Sequence, residues 1–81
     1  MSTKTERMLR YYAERISYFK ERIHAEEKNI QELRQSDVWE EEKRRWLIRE
    51  AFERMRDFTK ARNELEALYK ALQKGDGECT T

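Results

Sequence analysis

Residues 38–52 read VWEEEKRRWLIREAF, from Val38 to Phe52, with Trp39 and Trp46 seven positions apart and six consecutive charges, Glu40 to Arg45, between them. A seven-residue step returns a helix to nearly the same side, so the spacing puts both indoles on one side and leaves the charges to water. Just upstream, Gln35-Ser36-Asp37 reads as a pause. Asp37 can accept a hydrogen bond from the first turn of a new helix, with Glu40 as the other half of a capping box. Glu40, Glu41 and Glu42 then face the positive end of that helix's dipole. The stretch therefore predicts a bend at about 35–38, with one helix over about 4–35 and another over about 38–74. With neither Gly nor Pro at the break, a continuous rod is the alternative; a hairpin is the preferred reading.

Working upstream, Leu9, Tyr12, Ile16, Phe19, Ile23, Ile30 and Leu33 alternate steps of three and four except at Glu26, which forms a heptad seam. Downstream, Lys70 and Lys74 suit the negative end of a helix, and Gly75 can take the left-handed conformation that closes it. The remaining GDGECTT, residues 75–81, is expected to be a disordered polar tail. A bend centred near Asp37 predicts an antiparallel register with Ile23 against Ala51, Phe19 against Met55, Ile16 against Phe58 and Leu9 against Leu65. Tyr12 would lie under Arg62. Glu26 is expected to be solvated at the edge or to meet Arg45 or Arg49.

The composition agrees with long solvated helices. The chain has 81 residues, no proline, two glycines and 43% charged residues, a profile that disfavours strands. One domain of this size is only marginally able to outweigh chain entropy, which favours help from a second chain. Eighteen Lys+Arg against seventeen Asp+Glu leave a formal charge of +1, so any attraction to nucleic acid or an anionic membrane must be local. The longest apolar run, Trp46-Leu47-Ile48, is far short of a membrane span, and MSTKTER does not look like a secretory signal. These features predict a cytoplasmic protein with no membrane partner. Cys79 is the lone cysteine and reads as a reduced, dispensable thiol.

The width of the apolar faces carries the functional reading. At about 100° per residue, the first helix presents an apolar arc of roughly 120°, with Tyr11 and Tyr18 on its shoulder. The arc of the second is about twice as wide, running from Trp39 and Trp46 to Met55, Ile48 and Phe52. One neighbour cannot cover it. A contiguous exposed aromatic patch usually marks an interface, so Trp39, Trp46, Ile48, Phe52 and Met55, with Tyr11 and Tyr18, are the candidate contact residues. A competing reading folds Trp39 over the bend to cap Ile30 and Leu33.

Catalysis finds little support. There is one histidine, His24, on the polar side of the first helix, and no glycine-rich phosphate loop. None of the carboxylate spacings forms the Glu-x-x-His pairs of bundle metal sites. No cofactor or metal is expected, and the chain reads as a non-enzyme. Arg45, Arg49, Arg56 and Lys60 share a helical side and could contact nucleic acid, but Glu40, Glu41 and Glu50 sit four before Arg44, Arg45 and Arg54 as neutralising pairs. The sequence thus predicts an all-α antiparallel hairpin of two long amphipathic helices, coiled-coil-like and dimerising into a four-helix bundle. Its expected function is that of a small adaptor, regulator or inhibitor that binds itself and an unidentified protein. Nucleic-acid binding through the arginines is the alternative.

Overall fold

A computed structural model describes the backbone of residues 3–79 and the side chains of residues 3–75. It contains two α-helices, α1 over Thr3–Gln35 and α2 over Glu41–Cys79, packed on each other as a hairpin 61 Å long and about 15 Å across. No Gly or Pro interrupts residues 1–74, so nothing breaks either helix before its end. The seam residues of α1 are all buried or half-buried, as their spacing predicts.

The bend is built differently from the expected capping box. Ser36 N–H donates to the Leu33 carbonyl at 3.4 Å, tightening the last turn of α1, and the Ser36 hydroxyl accepts the Val38 N–H at 3.2 Å. Arg44 Nη1 donates to the Ser36 carbonyl at 3.0 Å, which ties the first turn of α2 back across the bend. The Glu40 carbonyl accepts the Arg44 N–H at 2.8 Å. Glu40 is therefore the cap residue, and α2 starts at Glu41, three positions later than the sequence reading places it. Residues 36–40 are used to cross between the helices, a usual length for an αα-hairpin.

The other end also differs. α2 continues past Lys74 to Cys79, and no glycine among the described residues has a positive φ. Gly75 is thus an interior helical residue and not a left-handed cap. Thr80 and Thr81, the end of the expected tail, lie outside the described residues.

The core is thin. Among the described residues, Leu9, Ile30, Leu33 and Ala51 are its buried apolar residues, and no large side chain is fully enclosed. Phe19 packs on Phe58 with ring centroids 6.0 Å apart, about a turn beyond the expected Met55. The reason for the shift lies at Glu26, which is 6% exposed. Neither solvent nor Arg45 nor Arg49 satisfies it. Arg54 Nε donates to Oε1 at 2.9 Å and Nη2 to Oε2 at 3.1 Å, a bidentate ion pair between the helices. The longer bend and this pair together slide α2 past the expected register. Arg54 thereby bonds across the helices while the charge of Glu50 still acts on it, and Arg44 bonds to Ser36 in place of Glu40's side chain.

Arg62 does not cover Tyr12 either. It donates to Asn63 Oδ1 from Nε at 3.3 Å and Nη2 at 3.0 Å, and lies 4.0 Å from Glu66, itself 3.9 Å from Lys20. Cations lie over other rings. Arg15 stands over Tyr18 and Phe19, and Arg22 over Phe58, at 4.9 to 5.5 Å from the ring centroids.

The hydrogen bonds from Arg54 hold the Glu26 carboxyl below its ordinary range, with Arg54's charge adding to them and burial opposing. Because the folded state binds this proton less readily than the unfolded chain, the stability from ionised Glu26 is present above the ordinary glutamate pKa of about 4.3. It is lost as pH falls through the lower folded value. Arg54→Ala is expected to destabilise the hairpin by about 1–3 kcal/mol in chemical denaturation and to raise the Glu26 pKa in NMR titration. An unchanged midpoint and titration would contradict the pairing. At Gly75 an added Cβ would meet nothing within 4 Å, so Gly75→Ala is expected to stabilise by about 0.5–1 kcal/mol. Destabilisation by a similar amount would restore the left-handed cap.

A candidate protein-binding surface on the second helix

The register decides which side chains of α2 are left to water. Ala51 lies fully inside, and one residue on, Phe52 sits at the edge, 42% exposed. From there Phe52, Met55, Thr59, Asn63 and Ala67 follow one another at steps of three and four, the period of a single helical face. With Arg56, Lys60 and Glu64 they line an open groove of about 660 Å³ along α2. Thr59 Oγ1 donates to the Met55 carbonyl at 2.8 Å, so its hydroxyl is spent on the backbone. Toward the bend the groove adjoins a smaller hollow where Phe52 and Met55 meet Glu27, Ile30, Gln31 and Arg34 of α1. The Arg34 guanidinium lies 5.9 Å from the Phe52 ring centroid.

The indoles lie elsewhere and apart from one another. Trp39 belongs to the bend, ahead of the first helical residue of α2, so the seven-residue helical spacing does not relate it to Trp46. It shares a hollow with Asn29, Leu33, Ser36, Leu47 and Arg54, close to the place that the capping reading gave it, yet it is 44% exposed. Trp46 is 50% exposed beside Glu40, Glu42 and Lys43, with the Lys43 ammonium 5.8 Å from its ring centroid. Ile48 is half-buried.

Tyr11 and Tyr18 are exposed on α1. Each ring leans on its neighbour in the chain: Tyr11 on Tyr12 at 5.9 Å, and Tyr18 edge-on to Phe19 at 5.3 Å. Leu68, which belongs to the wide apolar arc of α2, is exposed, and so is Met8, which the sequence reading did not single out. Nor did it find Thr59, Asn63 and Ala67. Their small or polar side chains carry no hydrophobic signal, and only the period they share with Phe52 and Met55 could have placed them.

The four cations considered for nucleic acid are all exposed. Arg45 is held by Glu41 at 2.7 Å, Arg56 lies 4.0 Å from Asp57, and Arg56 and Lys60 rim the groove. Among the described residues no group of His, Cys, Asp and Glu is placed to hold a metal ion. His24 is exposed, with Nδ1 4.0 Å from Glu27. No helix among the described residues is long and apolar enough to cross a membrane. The chain matches no protein-family model, and comparison with curated proteins and with solved structures finds none similar to it.

Both indoles are expected to be open to acrylamide quenching at dilutions where sedimentation gives the single-chain mass. Blue-shifted emission with little quenching in that species would place the rings inside and remove the surface.

Proposed function

We propose that this chain is a non-enzymatic protein-binding module that associates with itself and with a partner protein through side chains that the hairpin leaves uncovered. The observation that carries this reading is the mismatch between core and surface. Four buried apolar residues stand against Tyr11, Tyr18, Trp39, Trp46, Phe52 and Leu68, all more than two-fifths exposed. A half-exposed large aromatic leaves about 2 kcal/mol of burial unrealised, at about 25 cal/mol per Å² over some 80–100 Å². Several such rings on one small domain amount to a strong drive toward association.

Two hairpins packed face to face, with both α2 helices near the centre, satisfy much of this drive as a four-helix bundle. The opposite flanks of α2 let one edge build that dimer while the other receives a target. The mode of action is occlusion or scaffolding: the aromatic side chains displace water from a partner's groove while flanking arginines and glutamates select orientation. A cytoplasmic site of action belongs to the same reading.

A second reading, nucleic-acid binding, draws on the exposed Arg45, Arg49, Arg56 and Lys60. Arg49 and Lys60 form no ion pair among the described residues. Against it stand the near-balanced charge and the apolar character of Phe52 and Met55, which phosphate tracking does not need.

Wild-type protein is expected to sediment above its single-chain 10.0 kDa. The double variant Trp46→Ala/Phe52→Ala is expected to shift toward that mass or lose partner capture, with helicity by circular dichroism retained. An unchanged mass together with unchanged capture would put the interface elsewhere. Labelled DNA or RNA binding that falls steeply with salt and vanishes in Arg45→Glu/Arg49→Glu would establish the second reading instead.

A further inference from the structure

At about 100° per residue, Arg45, Arg49, Arg56, Lys60, Lys70 and Lys74 fall within an arc of about 80° on α2. All six are exposed. Of the later carboxylates, Glu50, Glu53, Asp57 and Glu64 occupy the adjoining arc and Glu66 lies on the other side of the stripe, and among the described residues Glu64 is the one acidic residue lining the groove. The apolar lane from Phe52 to Ala67 therefore runs beside a basic stripe that extends beyond it at both ends. Arg49, Lys60 and Lys70 form no ion pair among the described residues.

This arrangement bears on what can cover the lane. In a two-fold contact the same patch meets itself, so a second copy docked here would set the stripe against its own like charges. The other helix of a second copy is no better suited, because α1 carries eight Lys+Arg against six Glu. A nucleic acid would use the cations, but it would gain nothing from burying Met55 and Ala67. An amphipathic helix with carboxylates beside its apolar face satisfies both features.

We infer that the Phe52–Ala67 groove receives an acidic amphipathic helix of a partner protein. This rests on the protein-binding reading above and leaves self-association to the opposite flank of α2. The lane spans about 22 Å at 1.5 Å per residue, matching about four turns of partner helix. Its Phe52 and Met55 end is bulky and its Asn63 and Ala67 end is small. The occupant's largest apolar side chain therefore sits over Ala67, and its carboxylates face Arg56 and Lys60.

The test is a display library of helix-forming peptides of about 15 residues, with a fixed apolar stripe and Glu or Lys randomised at the flanking positions. It is selected on the full chain, and binding is then measured by fluorescence anisotropy. Selected peptides are expected to be acidic, to bind at least about ten-fold tighter than their Lys counterparts, and to lose affinity with Phe52→Ala. The preference is expected to invert with Arg56→Glu/Lys60→Glu, whose helicity serves as the folding control. Selection of neutral or basic peptides that still need Phe52 would overturn the acidic partner while sparing the protein-binding reading. Recovery of no peptide, with salt-sensitive binding of labelled RNA or DNA that is indifferent to Phe52, would overturn both.

Discussion

A carboxylate on an apolar seam can be accommodated at few places, and in this hairpin Glu26 is held chiefly by Arg54, through two hydrogen bonds between the helices, with Asn29 and the charge of Arg22 adding to them. Ion pairs of this sort return about as much energy as their desolvation costs, so their effect on net stability is small. Their effect on alternatives is large. Sliding α2 by a turn in either direction would carry Arg54 away and leave the Glu26 carboxylate with only Asn29 and Arg22 of its own helix, a cost of about 1–3 kcal/mol. With four buried apolar residues in the core among those described, apolar packing alone discriminates weakly between neighbouring registers. The pair is what selects one of them.

The surface follows from that choice. In this register Ala51 points inside, while Phe52, Met55, Thr59 and Ala67 fall along the edge and Arg56 and Lys60 just beyond it. The bend contributes in the same sense. Ser36 accepts the Val38 N–H and the Arg44 guanidinium at the turn, and Trp39 is left beside Leu33 and Leu47 with nearly half its surface in water. The exposed apolar side chains of α2 thus have one cause: its apolar arc is wider than α1 can cover, and the register divides the excess between two flanks. One flank carries the indole of Trp46 and the other the basic-rimmed groove.

Much of this was legible in the sequence, and the misses have physical causes. The heptad seam of α1 and the excess arc of α2 are properties of periodicity, which a single chain displays directly. The two-helix architecture followed from them and from the absence of Pro and Gly before residue 75. The partner of Glu26 was not legible, because Arg45 and Arg49 stand nearer to it in the expected register. The connection is longer than the capping-box pattern at Asp37 and Glu40 implies, since α2 begins at Glu41. Trp39 was misplaced for that same reason. The groove was half seen: Phe52 and Met55 stood out, whereas Thr59, Asn63 and Ala67 became part of a surface only once the register was known.

The most direct measurement is a nuclear Overhauser map of the side chains in solution. The account requires contacts between the rings of Phe19 and Phe58 and a slowly exchanging Arg54 Nε–H next to Glu26, with Ile30 the α1 seam residue beside Phe52. Contacts of Phe19 with Met55 in their place, together with a freely exchanging Arg54, would mean that the helices meet one turn earlier and that the groove described here is not on the surface.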